Sequence, residues 1–512
     1  MSMRLLRRLR WITQGATLII FLYVLFETRS DSWAVIPVDI FFRLNPLAAS
    51  AAMVASRQVI SALLLSLATV VITIILGRVW CGWLCPMGTV LDLASTKKTQ
   101  GSRPALPQRW RFIKYGLLIA ILGAALAGNQ TLLILDPITL LTRTTTTIVW
   151  PALDLIITAL EKALYSVGFL RSPIVWFDAM VRGPVLPLAP RTFQGTLLIA
   201  GIFAGVLVLN RFASRFWCRY LCPLGGLLGL LSRIAPLRRQ VNERCIQCKR
   251  CANLCPTGTI DATAGYSSDP AECTMCLDCH VVCPANAIDF RFENPTPLLS
   301  YPYDPKRRSS LGALGLGLMG AVLSQLRPAA DRVQAWLIRP PGGRENNLPQ
   351  KCIRCGICLK VCPTGGLQPA WSQDAPEGVW TPVLVPRIGY CDYSCNACGR
   401  ICPTGAIPNL ELDVKRTVVI GKAYIDQNRC IPWSDNRSCI VCEEMCPVPN
   451  KAIKLAEVEV TDQQGNKVTI GRPHVERERC IGCGICEYQC PVAGEAAIRV
   501  YYPTDIGAGP GA

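Results

Sequence analysis

The chain has 512 residues, too long for one compact core, and this length predicts two to four modules. Its formal net charge is +18, as expected of nucleic-acid-binding proteins and also of membrane proteins that keep Lys and Arg on the cytoplasmic side. Hydrophobic residues make up 51% of the chain, which favours a membrane protein with no nucleic-acid partner. Two histidines are too few for bis-histidine haem sites, so no haem is expected.

Five charge-free apolar runs predict membrane-spanning helices, because each is near the length of ~20 residues that a bilayer requires. The alternative is a set of buried helices in a large soluble domain. The runs are 11–26, 58–77, 115–135, 192–210 and 309–326. The first four predict an α-helical membrane domain of four spans within residues 1–240, and the fifth is a tether within 301–328.

Basic residues flank these runs on the side that the positive-inside rule assigns to the cytoplasm. They precede the first run, separate the second from the third and follow the fourth: Arg4, Arg7, Arg8, Arg10, Lys97, Lys98, Arg103, Arg109, Arg111, Lys114, Arg211, Arg215, Arg219, Arg233, Arg238 and Arg239. The N-terminus is therefore predicted to be cytoplasmic, in a bacterial inner membrane. The stretch 136–191 should lie outside and fold as short interfacial helices.

The fifth run is rich in Gly and Ala and only moderately hydrophobic. Lys306, Arg307 and Arg308 precede it directly, so it is similar to a twin-arginine export signal placed inside the chain. If it crosses the membrane, everything after Arg327 is periplasmic. The alternative is a Gly-rich linker or interfacial helix that leaves the rest of the chain in the cytoplasm.

The 28 cysteines fall into two pairs and six quartets, with none left over. Quartets of the form C-x-x-C-x-x-C-x-x-x-C-P supply ligands to [4Fe-4S] clusters, and in two-cluster ferredoxins the fourth cysteine binds the neighbouring cluster. Residues 241–300 are therefore predicted to form a cytoplasmic ferredoxin of α+β fold. We expect cluster I to bind Cys245, Cys248, Cys251 and Cys283, and cluster II to bind Cys273, Cys276, Cys279 and Cys255. Disulfides and zinc are the alternatives that this spacing disfavours.

A C-x-x-C-H pattern ends at His280, but both of its cysteines already belong to a quartet, so haem attachment is not expected and His280 is predicted to lie at the surface.

Four more quartets lie within residues 329–512, which are predicted to form a second, extracytoplasmic ferredoxin module of α+β fold. One quartet has an extra residue in its first gap, and another has an eight-residue first gap, 431–438, that is expected to loop over its cluster. The quartets are Cys352, Cys355, Cys358 and Cys362; Cys391, Cys395, Cys398 and Cys402; Cys430, Cys439, Cys442 and Cys446; and Cys480, Cys483, Cys486 and Cys490. They bring the expected total to six [4Fe-4S] clusters, with a three-iron cluster as the alternative at an irregular quartet. Their pairing is not evident from spacing.

The two cysteine pairs belong to a duplicated W-C-x-x-L-C-P string that follows the second and fourth runs, with Cys81 and Cys85 in one copy and Cys218 and Cys222 in the other. A C-x-x-x-C spacing predicts thiols one helical turn apart on one face. Three functions remain open: a further metal or iron–sulfur site, a thiol–disulfide relay, or transient copper binding. Buried packing is the structural alternative.

These motifs resemble a known pairing. The first 300 residues resemble the NapH family of membrane ferredoxins, related to NosR, MauN and CcoG. The remainder, with Arg-Pro-Pro-Gly-Gly at 339–343 and Ala-Tyr-Ile-Asp-Gln-Asn-Arg-Cys-Ile-Pro-Trp at 423–433, resembles the exported NapG and MauM four-cluster ferredoxins. The resemblance implies electron transfer from menaquinol or ubiquinol to a periplasmic reductase, or support for maturation of a periplasmic enzyme. No covalent-flavin motif of the NosR type is recognised, and the threonines at 144–147 are predicted to form a loop.

The function predicted is therefore electron transfer from membrane quinol to a periplasmic enzyme or c-type cytochrome, as a component of a quinol dehydrogenase or as an electron carrier. The alternatives are a redox maturation factor and a thiol-dependent copper reductase. No catalytic or quinone-binding residue is identified. Because the hydrocarbon core is ~30 Å thick, modules on opposite sides need an intermediate carrier, which is a quinone, the cysteine pairs or another cofactor.

Overall fold

The computed structural model describes residues 3–28, 36–95, 107–182, 185–187, 190–293, 307–323, 337–371, 378–461 and 467–503. The chain divides into two compact units. Unit 1 comprises residues 1–27, 34–145 and 197–326, and unit 2 comprises 28–33, 146–196 and 327–512.

Helices are the most frequent regular element of the described chain. The helices are α1 (Met3–Glu27), α2 (Ile40–Arg43), α3 (Pro46–Ser56), α4 (Ser66–Leu76), α5 (Pro86–Leu93), α6 (Phe112–Leu126), α7 (Pro137–Thr144), α8 (Trp150–Leu164), α9 (Arg171–Val181), α10 (Thr196–Phe212), α11 (Pro223–Leu231), α12 (Arg250–Leu254), α13 (Asp278–Val282), α14 (Arg307–Leu323), α15 (Leu348–Lys351), α16 (Ile357–Val361), α17 (Ala397–Arg400), α18 (Leu412–Thr417), α19 (Ile431–Ser434), α20 (Val441–Glu444) and α21 (Ile485–Tyr488).

Within the described residues, ten strands form five antiparallel pairs. The strands are β1 (Leu237–Val241), β2 (Ile260–Asp261), β3 (Ser267–Ser268), β4 (Ile288–Phe292), β5 (Leu367–Pro369), β6 (Pro382–Leu384), β7 (Lys422–Ile425), β8 (Ile453–Thr461), β9 (Lys467–Val475) and β10 (Ile498–Tyr501). The pairs are β1–β4, β2–β3, β5–β6, β7–β10 and β8–β9.

Helices occupy all five predicted spans, but among the described residues only α1 is long and apolar enough to cross a membrane on its own. The second and third runs are not continuous helices. Arg57 adopts a left-handed conformation (φ 53°) and a 3-10 turn precedes α4, while Gly128 (φ 79°) follows the end of α6. A four-span domain is therefore a proposal, considered below.

Several apolar helices of unit 1 have an exposed apolar face. α4 exposes Leu67 and Val71, α10 exposes Leu197 and Val208, and α14 exposes Leu318, each by more than half of its surface. By contrast, α3 is largely buried. Exposed apolar faces of this extent are typical of surfaces that contact lipid or another protein.

Helix α14 packs closely on α6 through small residues. A Cβ atom added at Gly317 would lie 2.5 Å from Ile119, and one at Gly320 would lie 2.9 Å from Ala120. Contacts between small residues let helix backbones approach closely, as membrane helix pairs commonly do. Lys306 and the side chains of Arg307 and Arg308, the basic part of the predicted export signal, lie outside the described residues.

The threonines at 144–147 do not form a loop. Thr144 ends α7, and a π-helical turn, Thr145–Val149, continues the helical path. All four threonines are at most 4% exposed. A helix can bury threonine because the hydroxyl bonds a carbonyl one turn back, as Thr144 Oγ1 does with Leu140 O at 2.8 Å.

The two-cluster module in unit 1 is a small α+β fold. β1 pairs with β4, with Val241 opposite Ile288, and helices α12 and α13 pack together beneath the cysteine loops. The core contains Tyr266, Ile288 and ligand candidates Cys251 and Cys279.

Apolar and polar residues alternate over residues 422–426, 452–460 and 497–502, a pattern that predicts short strands. Strands β7, β8 and β10 of the four-cluster module form at these segments. β7 pairs with β10, and β8 pairs with β9 over nine residues. Its main core also includes Phe193, which follows the stretch 136–191. Helices α7, α8 and α9 form within that stretch. Arg191 donates to Lys360 O at 2.6 Å, and Gln194 N donates to Gln368 Oε1 at 3.1 Å.

Candidate iron–sulfur sites

The cysteine loops share a local geometry that their sequences explain. Left-handed residues directly before the short helices turn the chain, and these include Lys249 (φ 61°), Gly356 (φ 79°) and Gly484 (φ 83°). The fourth cysteine then leaves the helix in an extended conformation, as at Cys255 and Cys362, because the following proline disfavours helical backbone at the residue before it.

The structure brings together the ligands predicted for cluster I and cluster II. One cavity in unit 1 is lined by all four predicted cluster I residues, Cys245, Cys248, Cys251 and Cys283. The predicted cluster II thiols of Cys273, Cys276 and Cys279 each interact electrostatically with that of Cys255. Arg239 Nε also lies 3.4 Å from Cys279 Sγ. His280, expected at the surface, is half-buried in α13.

The first two quartets of unit 2 pair as neighbours. A cavity is lined by Cys352, Cys355 and Cys358 together with Cys402, the fourth cysteine of the next quartet. In exchange, Cys391, Cys395 and Cys398 interact electrostatically with Cys362. This is the ferredoxin pattern, and the spacing left it undetermined.

The last two quartets pair in the same way. A third cavity is lined by Cys430, Cys439 and Cys442 with Cys490, and Cys483 interacts electrostatically with Cys446. The eight-residue gap after Cys430 is partly helical rather than a loop, because it begins with α19.

Trp433 fixes the gap helix α19 to the neighbouring hairpin. Its Nε1 donates to Pro473 O at 3.2 Å, and the Arg472 guanidinium lies 4.8 Å from its ring centroid.

One carboxyl beside these quartets has a shifted pKa. Burial raises the pKa of Glu487 to about 7, although Val500 N donates to its carboxylate at 2.7 Å.

The prediction that each cysteine pair lies on one regular α-helical turn is wrong. In each copy a π-helical turn, Trp80–Leu84 or Trp217–Leu221, is followed by an extended cysteine and a new helix that begins at proline. Cys85 N donates to Trp80 O at 2.9 Å, a bond that spans five residues. The proline starts the new helix readily but forces the cysteine before it out of helical backbone.

The four thiols of these pairs converge. Cys81, Cys85 and Cys222 are buried, and Cys218 is partly buried. Each of the four interacts electrostatically with the other three.

Two buried arginines cross between the copies. Arg78 Nη2 lies 4.0 Å from Cys81 Sγ in its own copy and would lie 2.8 Å from a Cβ atom at Gly225 in the other. Arg215 Nη1 donates to Cys81 O at 3.1 Å. The repeated unit is therefore longer than the string recognised in sequence and reads R-x-W-C-x-x-L-C-P-x-G.

Several basic residues assigned above to cytoplasmic loops are in fact buried against the two-cluster module. Lys114 Nζ and Arg78 Nη1 bind the carboxylate of Glu272 at 2.5 and 3.3 Å. Arg111 donates to Gly258 O at 2.8 Å, and Arg10 contacts Asp278 at 3.3 Å.

Sequence reasoning missed the acidic partners of these basic residues. The available signal was their position, because Glu272 precedes Cys273 directly, and Asp278 lies between Cys276 and Cys279.

Comparisons with known proteins identify 4Fe-4S binding domains along the chain. Models of 4Fe-4S binding domains match residues 58–103 and 194–242, 240–261 and 471–492, and models of 4Fe-4S dicluster domains match 265–363 and 351–406. The methylamine utilization ferredoxin-type protein MauM of Methylorubrum extorquens is 35% identical over 224 residues, which are 41% of this chain and 95% of that protein. The chain belongs to the MauM family of ferredoxin-type proteins.

Other members show the same partial coverage. MauM of Paracoccus denitrificans is 39% identical over 38% of this chain and 85% of its own length. The ferredoxin-type protein NapG of Escherichia coli is 33% identical over 36% of this chain and 79% of its own length. No solved structure matches the chain significantly. The similarity to MauM and NapG therefore accounts for about two fifths of the chain.

The cysteines of this MauM-type chain fit [4Fe-4S] clusters better than single metal ions. Among the described residues, no three His, Cys, Asp or Glu lie close enough to hold one metal ion, whereas four thiols line each of the three cavities. Backbone N–H groups also donate to ligand sulfurs, including Ala287 N to Cys283 at 3.3 Å and Ala423 N to Cys480 at 3.3 Å. Such bonds are typical of iron–sulfur sites and help to set their potential.

Proposed function

We propose that the chain passes electrons from membrane quinol to an enzyme or c-type cytochrome outside the cytoplasmic membrane. Oxidation of one quinol releases two electrons and two protons, and the electrons reduce two one-electron acceptors or one two-electron acceptor. Each bound [4Fe-4S] cluster supplies one-electron redox chemistry. On this proposal the six quartets hold six clusters, two in unit 1 and four in unit 2.

The observation that carries the proposal is the exchange of fourth cysteines between neighbouring quartets. Cys283, Cys402 and Cys490 each line the cavity of the preceding quartet. Exchange of this kind holds two clusters side by side within one small fold, which is the arrangement needed for electrons to move between them.

A membrane location has independent support. Large apolar side chains are exposed on α1, α4, α10 and α14, where burial would otherwise be favourable by ~25 cal/mol per Å². Lipid would cover these faces. The helices shorter than ~20 residues would need the flanking 3-10 and irregular segments to complete a span.

The contacts of the two ferredoxin modules with the loops between the predicted spans support their location on opposite sides of the membrane. Arg7 and Arg10, before the first span, bind Asp278 of the two-cluster module. The four-cluster module instead contacts Arg191, in the stretch between the third and fourth spans. By the positive-inside rule the first contact is cytoplasmic and the second is periplasmic.

Quinol is proposed as donor because the first 300 residues resemble the NapH family. The hydrocarbon core that separates the two membrane faces is ~30 Å thick. We therefore assign diffusing quinone as the carrier of electrons between the two faces.

Reconstitution tests this function. The protein, purified without oxygen, is placed in sealed liposomes, and decylubiquinol or menadiol is added while EPR follows cluster reduction. We expect quinol to reduce clusters of the four-cluster module and ferricyanide outside the liposomes to reoxidise them. If dithionite reduces the clusters but neither quinol does, the quinol-oxidising function is wrong, while the cluster assignment stands.

A maturation role is the second candidate, because the MauM proteins share 34–39% identity with this chain, against 30–33% for NapG. In that case electrons would be needed once per molecule of a periplasmic metalloenzyme rather than at every turnover. Deletion of the gene distinguishes the two. A deletion strain whose enzyme is inactive even with an artificial electron donor supports maturation, and one whose enzyme works with that donor supports electron supply.

A further inference from the structure

A 4Fe-4S binding-domain model matches both motif copies, each of which carries only two cysteines. We propose that the two copies share one cluster, adjacent to cluster II and bound by Cys81, Cys85, Cys218 and Cys222. The proposal extends the electron-transfer function to a seventh centre. It rests on the presence of clusters in the chain but not on quinol as the donor.

The donor set fits an iron–sulfur cluster. Four thiols from two sequence-related copies converge, each interacting electrostatically with the other three. The surrounding geometry joins the two copies. Arg78 Nη2 lies 4.0 Å from Cys81 Sγ, and a Cβ atom added at Gly225 would lie 2.8 Å from Arg78 Nη2 and 3.4 Å from Cys222 Sγ. Four cysteine thiolates are the ligand set of a [4Fe-4S] cluster.

Buried positive charge offsets the charge of such a cluster. Four thiolates around a [4Fe-4S] core in its oxidised state carry about two negative charges in total. Arg78 and Arg215 are at most 1% exposed and both interact electrostatically with these thiols. Each also pairs with a carboxylate, Glu272 or Asp92, so the two arginines offset only part of the cluster charge. A buried charge is tolerated when an opposite charge lies nearby, and each arginine reaches the copy that does not contain it.

Each motif copy contains one buried indole donor without a partner among the described residues. Trp80 and Trp217 directly precede the first cysteine of each copy and are each 4% exposed. Their indole Nε1 atoms are buried without a hydrogen-bond partner among the described residues. A buried N–H group without a partner is costly, and cluster sulfur is an acceptor that would satisfy both.

Both copies also contact the loops that carry the ligands of cluster II. Trp83 Nε1 in the first copy donates to Met275 O at 3.0 Å, between Cys273 and Cys276. Arg219 Nε in the second copy donates to Thr257 O at 2.7 Å, two residues after Cys255.

The contact is close enough to exclude side chains. A Cβ atom added at Gly82 would lie 2.1 Å from Thr274 O, and one at Gly258 would lie 1.6 Å from Arg219 Nη2. The four thiols are therefore placed next to cluster II, where one electron at a time would pass between the two centres while the iron–thiolate bonds remain intact.

Iron and acid-labile sulfide are measured per chain on protein purified without oxygen. Wild type should contain about 28 irons, four for each of seven clusters, and about 24 would overturn the proposal without any variant. Because iron counting needs no quinol, the result is independent of the proposed donor.

Paired substitutions test sharing between the copies. Cys81→Ser/Cys85→Ser and Cys218→Ser/Cys222→Ser should each lose about four irons, since either pair alone cannot hold the cluster. Loss of about two irons per pair, or none, would contradict one shared centre. Leu84→Met, a volume-conserving change at a non-ligand position of the same motif, should keep the full count.

EPR of the reduced protein checks folding and adjacency. The signals of the ferredoxin clusters should persist in both paired variants, while magnetic broadening of the cluster II signal in wild type should disappear. Copper bound by wild type at full occupancy in place of iron would assign the thiols to a copper site and overturn the cluster.

Discussion

Lys114 and Glu272 form a buried ion pair, with Nζ 2.5 Å from Oε1, that joins helix α6 to the residue directly before Cys273. Both side chains are at most 3% exposed, and Arg78 binds the same carboxylate. The pair therefore fixes a ligand loop of cluster II to the apolar helices of unit 1.

Glu272→Gln should destabilise this connection strongly, because it leaves Lys114 as an unpaired buried charge at a cost of ~3–5 kcal/mol. The measurement is the rate at which cluster absorbance is lost on heating in detergent. Asp289→Asn is the control, since it removes an exposed ion pair to Arg291 worth less than ~1 kcal/mol. Equal rates for the two variants would show that the buried pair does not hold the loop.

The exchange of cysteines between quartets predicts which substitutions remove the same cluster. Cys402→Ser should change the reduced EPR spectrum in the same way as Cys352→Ser, because both residues line one cavity. Cys362→Ser should instead match Cys391→Ser. If the spectrum of Cys402→Ser matches that of Cys391→Ser, each quartet binds its own cluster and the pairing is wrong.

The sequence was enough to identify the quartets and the strands around them but not their pairing. Spacing determines which thiols can wrap a cubane locally, whereas the partner of Cys402 depends on how α16 and α17 pack, a long-range property. The basic residues illustrate a different limit. Lys114 and Arg215 lie in basic segments of the kind that the positive-inside rule assigns to cytoplasmic loops. Only the tertiary structure shows that they are buried in ion pairs with Glu272 and Asp92.

The backbone geometry of the duplicated cysteine pairs could not be predicted from their spacing either. A C-x-x-x-C spacing predicts one α-helical turn, but Pro86 and Pro223 each begin a new helix and force the cysteine before them into extended backbone. Convergence of the two copies then depends on packing between segments more than 100 residues apart in sequence.

Arg215 and Asp92 form a second buried pair, with Nη2 2.6 Å from Oδ2 and Nε 2.7 Å from Oδ1. Burial raises the pKa of Asp92, but the Arg215 guanidinium, the hydrogen bond from Gln14 and the charge of Arg10 together lower it by more, so that the net pKa lies below its ordinary value. A carboxyl with a lowered pKa contributes stability above its unfolded pKa and loses it only as pH falls through the folded pKa.

Asp92→Asn should therefore destabilise the protein by ~2 kcal/mol, by the same amount at every pH between 5 and 9. The check is the ratio of heat-induced cluster-loss rates for variant and wild type across that range. A ratio that approaches one as pH falls from 7 to 5 would mean that Asp92 takes up a proton there, against the predicted direction.

Close packing of α14 on α6 gives a test with an internal control. Gly317 has no room for a larger side chain, because a Cβ atom there would lie 2.5 Å from Ile119 Cγ2, whereas Gly315 on the same helix has nothing within 4 Å. Gly317→Leu should separate the helices at a cost of ~1–3 kcal/mol or more, and Gly315→Leu should be nearly neutral. Proteolysis of membrane vesicles measures the difference, since loosened α14 exposes its flanks to cleavage. Equal protection of the two variants would contradict this packing, and faster cleavage of Gly315→Leu would place the other face of α14 against a neighbour.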